Sequence, residues 1–384
     1  MSRSEPTTAG PPAGTQTSAP PPPRPQPTPN GRTLADGLWW TFRLLLALYV
    51  FMGALQVMKT GAASLDLLES GGVLVKNAAS TLGLGWLGAL LVLSGSPIAA
   101  SALTLVAADK LSEIEGFAML TGSRLGAAFV VLLVAVIYAL RGGEGKRVGP
   151  VSTAVMALAT TALIYIPGAL IGLLLLQWGP FNSINLEFGG RFGDLLDVLY
   201  GGLLDRIETF PSALLFIGGL GLLLLSFKLI DDVVPELTED TIEQKRLGWL
   251  ARKWPMFGLG CLVALIAMSV SVALTVLVPV VAKGYVKREH ILPYIMGANI
   301  TTLGDTLLAA FLLNSGASVR IVLAGVIGTT MVSVALLAVA YPQVRSGVWR
   351  FQRQVVKSRP RLAAFTAALF AIPILLITAS VVVA

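Results

Sequence analysis

The chain is 384 residues long, 55% hydrophobic and only 13% charged, with a mean hydropathy of +0.78. A water-soluble domain carries about 25% charged residues, so these values exclude an ordinary soluble globule and imply a chain dissolved in a lipid bilayer. The net charge of +7 is read as Lys and Arg held in cytoplasmic loops, with no nucleic-acid partner, and the single Cys261 and single His290 leave neither a disulfide framework nor a Cys/His zinc site.

Met1–Thr33 is rich in Pro, Thr, Ser and Gly and contains the run Pro20–Pro23. Such a segment cannot bury a core and is expected to be a disordered cytoplasmic tail. No apolar stretch follows a short basic start, so it does not read as a signal peptide. Nine long apolar segments come after it, at about 38–58, 82–108, 114–140, 151–177, 211–231, 256–282, 289–313, 318–342 and 361–383. About 20 apolar residues are needed to cross a bilayer core of roughly 30 Å.

Loop charges give the orientation. Arg345, Arg350, Arg353, Lys357, Arg359 and Arg361 place the loop before the last segment in the cytoplasm. Arg141, Lys146 and Arg147 do the same for the loop after 114–140, as do Lys245, Arg246, Arg252 and Lys253 for the loop after 211–231. The loop 178–210 carries Glu187, Asp194, Asp197, Asp205 and Glu208 against only Arg191 and Arg206, and fits the outside. Between consecutive cytoplasmic stretches the chain must cross an even number of times, yet three apolar segments lie between the N-terminus and 141, and three between 254 and 343. One of each three therefore does not span. The candidates are 82–108 and 256–282, whose centres are Ser94-Gly95-Ser96-Pro97 and Ser269-Val270-Ser271. Both are read as re-entrant hairpins, tolerated at depth only where protein or a water-filled cavity satisfies the backbone. The alternative is two straight helices and a charge bias that is broken.

The expected protein is thus an all-α, multi-pass cell-membrane protein with seven spanning helices and two hairpins, its N-terminus cytoplasmic and its C-terminus extracytoplasmic. An offset of 175 residues aligns Ser94 with Ser269, Ser96 with Ser271, Val106 with Val281, Ala107 with Ala282 and Gly122 with Gly297. The aligned sets have opposite orientation, which makes an inverted repeat. The domain reading is a tail over 1–33, a first transport repeat over 34–140, a linker helix and extracellular loop over 141–210, a second repeat over 211–317, and C-terminal helices over 318–384.

The second repeat reads Met268-Ser269-Val270-Ser271, then Ile295-Met296-Gly297-Ala298-Asn299-Ile300-Thr301-Thr302; the first reads Leu93-Ser94-Gly95-Ser96, then Thr121-Gly122-Ser123-Arg124. This pattern resembles the type II sodium/phosphate cotransporter family, whose repeats each carry a Gln-Ser-Ser hairpin followed by a Gly-Ala-Asn helix start. The resemblance covers about 38–343 and implies a Na⁺-coupled symporter of an inorganic anion such as phosphate, with Na⁺ as coupling ion. The chain departs from it where Leu93 and Met268 stand for the glutamines, Gly95 and Val270 for the central serines, and Arg124 for the first asparagine.

Site residues come from chemistry and from that resemblance. Ser96-Pro97 reads as an N-cap and first helical position, so a half-helix would start at the hairpin tip with its free N–H groups facing an oxyanion; the other reading is a kink with serines bonded back to the preceding turn. Ser94, Gly95 and Ser96 are assigned to substrate with Ser269 and Ser271 of the second tip. Arg124 falls near mid-depth, where arginine is costly and rarely idle. It either pairs with an oxyanion or pairs structurally with Asp305, itself a candidate Na⁺ or proton ligand. Asn299, Thr301, Thr302 and Asp305 offer hard oxygens for Na⁺, and Asn299 is also assigned to substrate. No nucleophile–base set is visible, so an enzyme is not expected. The competing reading is a membrane protein that kept the fold and lost the site, as the missing glutamines would allow.

Overall fold

A computed structural model describes residues 34–63, 75–141, 148–179, 194–231, 252–282 and 286–383. The chain divides at Thr41 into two units. The first contributes only the opening turns of α1; the second, 42–384, holds all the other helices. The 1–33 tail expected from the sequence lies outside the described residues.

The described residues contain helices and no strands. In chain order they are α1 (Leu34–Ala62), α2 (Ala78–Val92), α3 (Ser96–Ala107), α4 (Glu113–Ala127), α5 (Phe129–Arg141), α6 (Val148–Trp178), α7 (Gly202–Ile207), α8 (Ser212–Asp231), α9 (Lys253–Ala267), α10 (Val270–Thr275), α11 (Leu277–Ala282), α12 (Leu292–Thr301), α13 (Leu303–Leu312), α14 (Gly316–Ala338), α15 (Tyr341–Val356) and α16 (Arg359–Val383). Among them, seven stretches are long and apolar enough to cross a membrane: Thr41–Ala62, Glu113–Leu140, Gly149–Trp178, Ser212–Leu229, Leu292–Leu312, Gly316–Ala338 and Arg359–Ser380. The two apolar segments 82–108 and 256–282 are not among these. Each is broken into shorter helices.

The breaks have local causes. α2 starts on a capping box in which Asn77 accepts from Ala79 and Ser80 while its own N–H donates to the Ser80 hydroxyl, and it ends at Leu93 with φ 57°. A left-handed C-terminal residue stops a helix, and Pro97 pre-sets the next one. The new helix begins one residue earlier than the sequence implied: Gly95 is the cap, without a side-chain bond, and Ser96 is the first helical residue. α9 ends at Met268 with φ 45°, and Ser269 caps α10 by accepting from the Val272 N–H at 3.3 Å. The returning arm breaks again at Val276, three residues before Pro279, whose missing N–H and ring deny a continuous ladder.

Close backbone contacts fix how these pieces pack. A Cβ on Gly85 would overlap the Met119 carbonyl, one on Gly122 the Leu82 carbonyl, and one on Gly126 the Trp86 carbonyl, so α2 lies backbone to backbone along α4 and parallel to it. α3 runs the other way: Gly116 faces Val106, and a Cβ on Gly95 would sit 2.9 Å from the Ser123 oxygen. α2 and α3 are therefore antiparallel, turning beside Ser123 and Ala127, well inside the 28-residue stretch Glu113–Leu140. The second half repeats the contacts at the same offset of 175: Gly260 faces the Tyr294 carbonyl, Gly297 the Phe257 carbonyl, and Thr301 donates to the Cys261 carbonyl at 2.9 Å. Helix bounds repeat too, with α2 mapping onto α9 end for end and left-handed Leu93 onto left-handed Met268.

The two halves meet through α6 and α14, which cross antiparallel where Gly168 and Gly172 face Thr329, Gly328 and Ala324. Small residues permit that approach, and dispersion between backbones holds it where lipid tails offer no hydrophobic drive. Residues 343–356, expected as part of a loop, belong to the amphipathic α15, with Val348, Gln352 and Val355 on its buried side.

Candidate functional site

Helices from both halves and from α6 close on one buried polar cluster. Arg124 on α4 is 1% exposed and places its Nη2 3.3 Å from Asp305 Oδ1. The same nitrogen donates to the Thr306 hydroxyl, which donates to Asp305 Oδ1 at 2.8 Å. A charged pair in this setting avoids the full cost of a lone membrane arginine, about 3 kcal/mol at the centre of a helix on insertion scales.

Beside it stands Asn299 on α12. Its amide Nδ2 donates to the Ile295 carbonyl at 2.8 Å and to Thr161 Oγ1 of α6 at 3.0 Å. A carbonyl accepts only from the nitrogen, so the bond to Ile295 fixes the amide's orientation and leaves Oδ1 as the outward acceptor. Tyr165 of α6 donates its hydroxyl to the Asn299 main-chain oxygen at 2.6 Å, and Thr302 donates to the same oxygen at 3.3 Å. Thr302 is the junction of α12 and α13 and Asp305 lies in the first turn of α13, one helical turn on, which joins the two groups into one cluster.

Three atoms of this cluster are buried without a hydrogen-bond partner: Arg124 Nε, Asn299 Oδ1 and Asp305 Oδ2. Most buried polar atoms are paired, and leaving one unpaired costs about 1–3 kcal/mol. One donor and two acceptors of the cluster are thus left open. Arg124 and Asn299 stand at equivalent places of the 175-residue offset, so each half supplies one centre of the cluster.

Ser94, Gly95 and Ser96 form the α2–α3 turn against the chain neighbours of Arg124; Gly95 and Ser96 are buried and Ser94 half-buried. Neither serine bonds back to the preceding turn, although Ser101 and Thr104 of the same helix do. Ser269 is engaged as the α10 cap. Ser271 lies in α10 and its side chain is outside the described residues. Thr301 stands apart from the cluster, since its hydroxyl goes to α9, while Thr302 and Asp305 belong to it. Sequence reasoning missed Thr306, Thr161 and Tyr165. Thr306 directly succeeds Asp305 and was findable as its neighbour; nothing marks the two α6 residues inside an apolar run.

Comparison with known protein families, with curated proteins and with solved structures finds no match for this chain.

Proposed function

We propose that this chain is a secondary transporter of a small inorganic oxyanion, with Na⁺-coupled phosphate symport as its leading form. The observation that carries the reading is the buried cluster: equivalent positions of two halves converge on polar atoms that lack partners. Inverted repeats place transporter sites at the repeat interface near the midplane. In this reading α2–α3 and α9–α11 are the two re-entrant hairpins, entering from opposite sides. The α3 start would offer free N–H groups and the Ser94 and Ser96 hydroxyls to the anion, with Arg124 as its charge partner. Asn299 Oδ1, Thr302 and Asp305 Oδ2 would hold the cation, and alternating access would open one tip to each side.

A second reading has one observation of its own. Arg124, Asp305 and Thr306 already bond one another, so the cluster also works as a brace between the halves in a protein that no longer transports.

Uptake of radiolabelled phosphate, and of a panel of other oxyanions, into proteoliposomes with and without a Na⁺ gradient separates the two. The transporter reading expects gradient-driven uptake that falls at least tenfold in Ser96→Ala and in Asn299→Ala. Absence of uptake for every anion tested, with folded protein in the vesicles, sinks it in favour of the brace.

A further inference from the structure

The amphipathic α15 and the start of α16 frame two cavities that the cluster does not use. The larger, of about 710 Å³, is an apolar crevice walled by Trp86, Leu125, Ile166, Val348, Phe351 and Leu369. The smaller, of about 560 Å³, is bounded by Phe351, Gln354, Lys357 and Arg361. Phe351 is common to both, so an apolar slot and a cationic seat adjoin. From Tyr341 to the last residue the sequence holds six Lys or Arg and no Asp or Glu. Arg345 is spent on Glu289, and Arg353 lies over the Trp349 ring at 5.2 Å. Lys357 and Arg361 are exposed, with no carboxylate among the described residues in ion-pair reach. In the crevice wall the Trp86 indole N–H is buried without an acceptor. Hydrocarbon alone would leave that donor unmet; an ester oxygen would not.

We infer that this pair of cavities is a binding site for one anionic glycerophospholipid, its phosphate between Lys357 and Arg361 and an acyl chain in the crevice. Two cations facing one seat recognise a phosphodiester, basic pockets between membrane helices hold anionic headgroups, and the apolar slot excludes a free water-borne phosphate as the natural occupant. A second copy of the chain would have to bring carboxylates to Lys357 and Arg361, and its own surface at this place offers only Lys and Arg.

The test is native mass spectrometry and thermal unfolding of the full chain in detergent. The additives are phosphatidylglycerol, phosphatidylcholine with the same acyl chains, and glycerol 3-phosphate. Phosphatidylglycerol is expected to remain bound one per chain and to raise Tm, the other two not. Lys357→Gln combined with Arg361→Gln should weaken its retention about thirtyfold, two basic contacts at roughly 1 kcal/mol each. Gly347→Phe fills the crevice from a position with open space around it and should release the lipid with both charges in place. Equal retention of the two phospholipids, glycerol 3-phosphate competing as well as the lipid, retention unchanged in both variants, or a lipid-free dimer closed over this face would each overturn the site. Because Gly347→Phe leaves the charged residues alone, a folding failure of the double variant does not remove the test.

Discussion

Arg124 and Asp305 decide most at the scale of single residues. Each is 1% exposed in its side chain, so neither can turn to water if its partner is removed. Arg124→Ala leaves a carboxylate buried and unpaired, and unfolding in detergent should register a loss of about 3–5 kcal/mol. Arg124→Met with Asp305→Leu removes both charges, and replacing a buried pair by apolar residues of similar volume is often neutral or stabilising. The double variant is therefore expected to regain wild-type Tm within a few degrees while anion uptake stays lost. Wild-type uptake in that variant would reduce the pair to a brace. Asp305 and Arg124 were legible in the sequence because a charge inside an apolar run is conspicuous. Tyr165 was not, since its hydroxyl partner on Asn299 is 134 residues away and tyrosine is ordinary in a membrane helix.

Helix pairs obey two rules, close glycine contact and left-handed termination, and both can be tested. A side chain on Gly122 or Gly297 meets the carbonyl of the neighbouring short helix, on Leu82 and Phe257 respectively, whereas Gly218 and Gly221 of α8 have nothing within 4 Å. Gly122→Val and Gly297→Val should each lower Tm strongly, as overpacking commonly costs about 1–3 kcal/mol, while Gly218→Ala and Gly221→Ala should not. Similar sensitivity of all four glycines in a thermal-shift assay would refute the backbone contact. Leu93 and Met268 have φ of 57° and 45°, a conformation costing an L-residue roughly 1 kcal/mol. Leu93 is also 40% exposed, so little packing is lost on truncation. Leu93→Gly should hold or raise Tm, opposite to a Leu→Gly change in the interior of α2. The first break was readable from Gly95, Ser96 and Pro97. The second was not, because Met268-Ser269-Val270 contains neither Gly nor Pro; only the parity of the loop charges and the 175-residue offset pointed to it. In α15 the six basic residues in and just after the helix read as a loop, and they outweighed the helical spacing of Val348, Gln352 and Val355.

For the whole molecule, the charges of the loops and the packing of the helix ends bear on the same question. Glu113 at the start of α4 pairs with Arg320 near the start of α14, and Glu289 before α12 pairs with Arg345 on α15. Asn77 at the start of α2 receives a hydrogen bond from Ser380 at the end of α16, Lys253 donates to the Leu337 carbonyl, and Gly61 abuts Ser212. In a chain of seven crossings and two hairpins every one of these contacts joins ends on a common side. Nine straight crossings would put Glu113 opposite Arg320, Lys253 opposite Leu337 and Gly61 opposite Ser212, a membrane thickness apart. The parity of the loop charges and the contacts thus favour the same topology by independent routes, one from electrostatics and one from packing. Single cysteines at Lys76, Lys110, Glu208 and Arg353 in a Cys261→Ala background, labelled by a membrane-impermeant maleimide in intact cells, put it to the test. The hairpin topology expects Lys76, Lys110 and Glu208 to react from outside and Arg353 only after permeabilisation. Lys110 is the deciding position, because a straight α2–α3 crossing would carry it to the cytoplasm while leaving Lys76 outside.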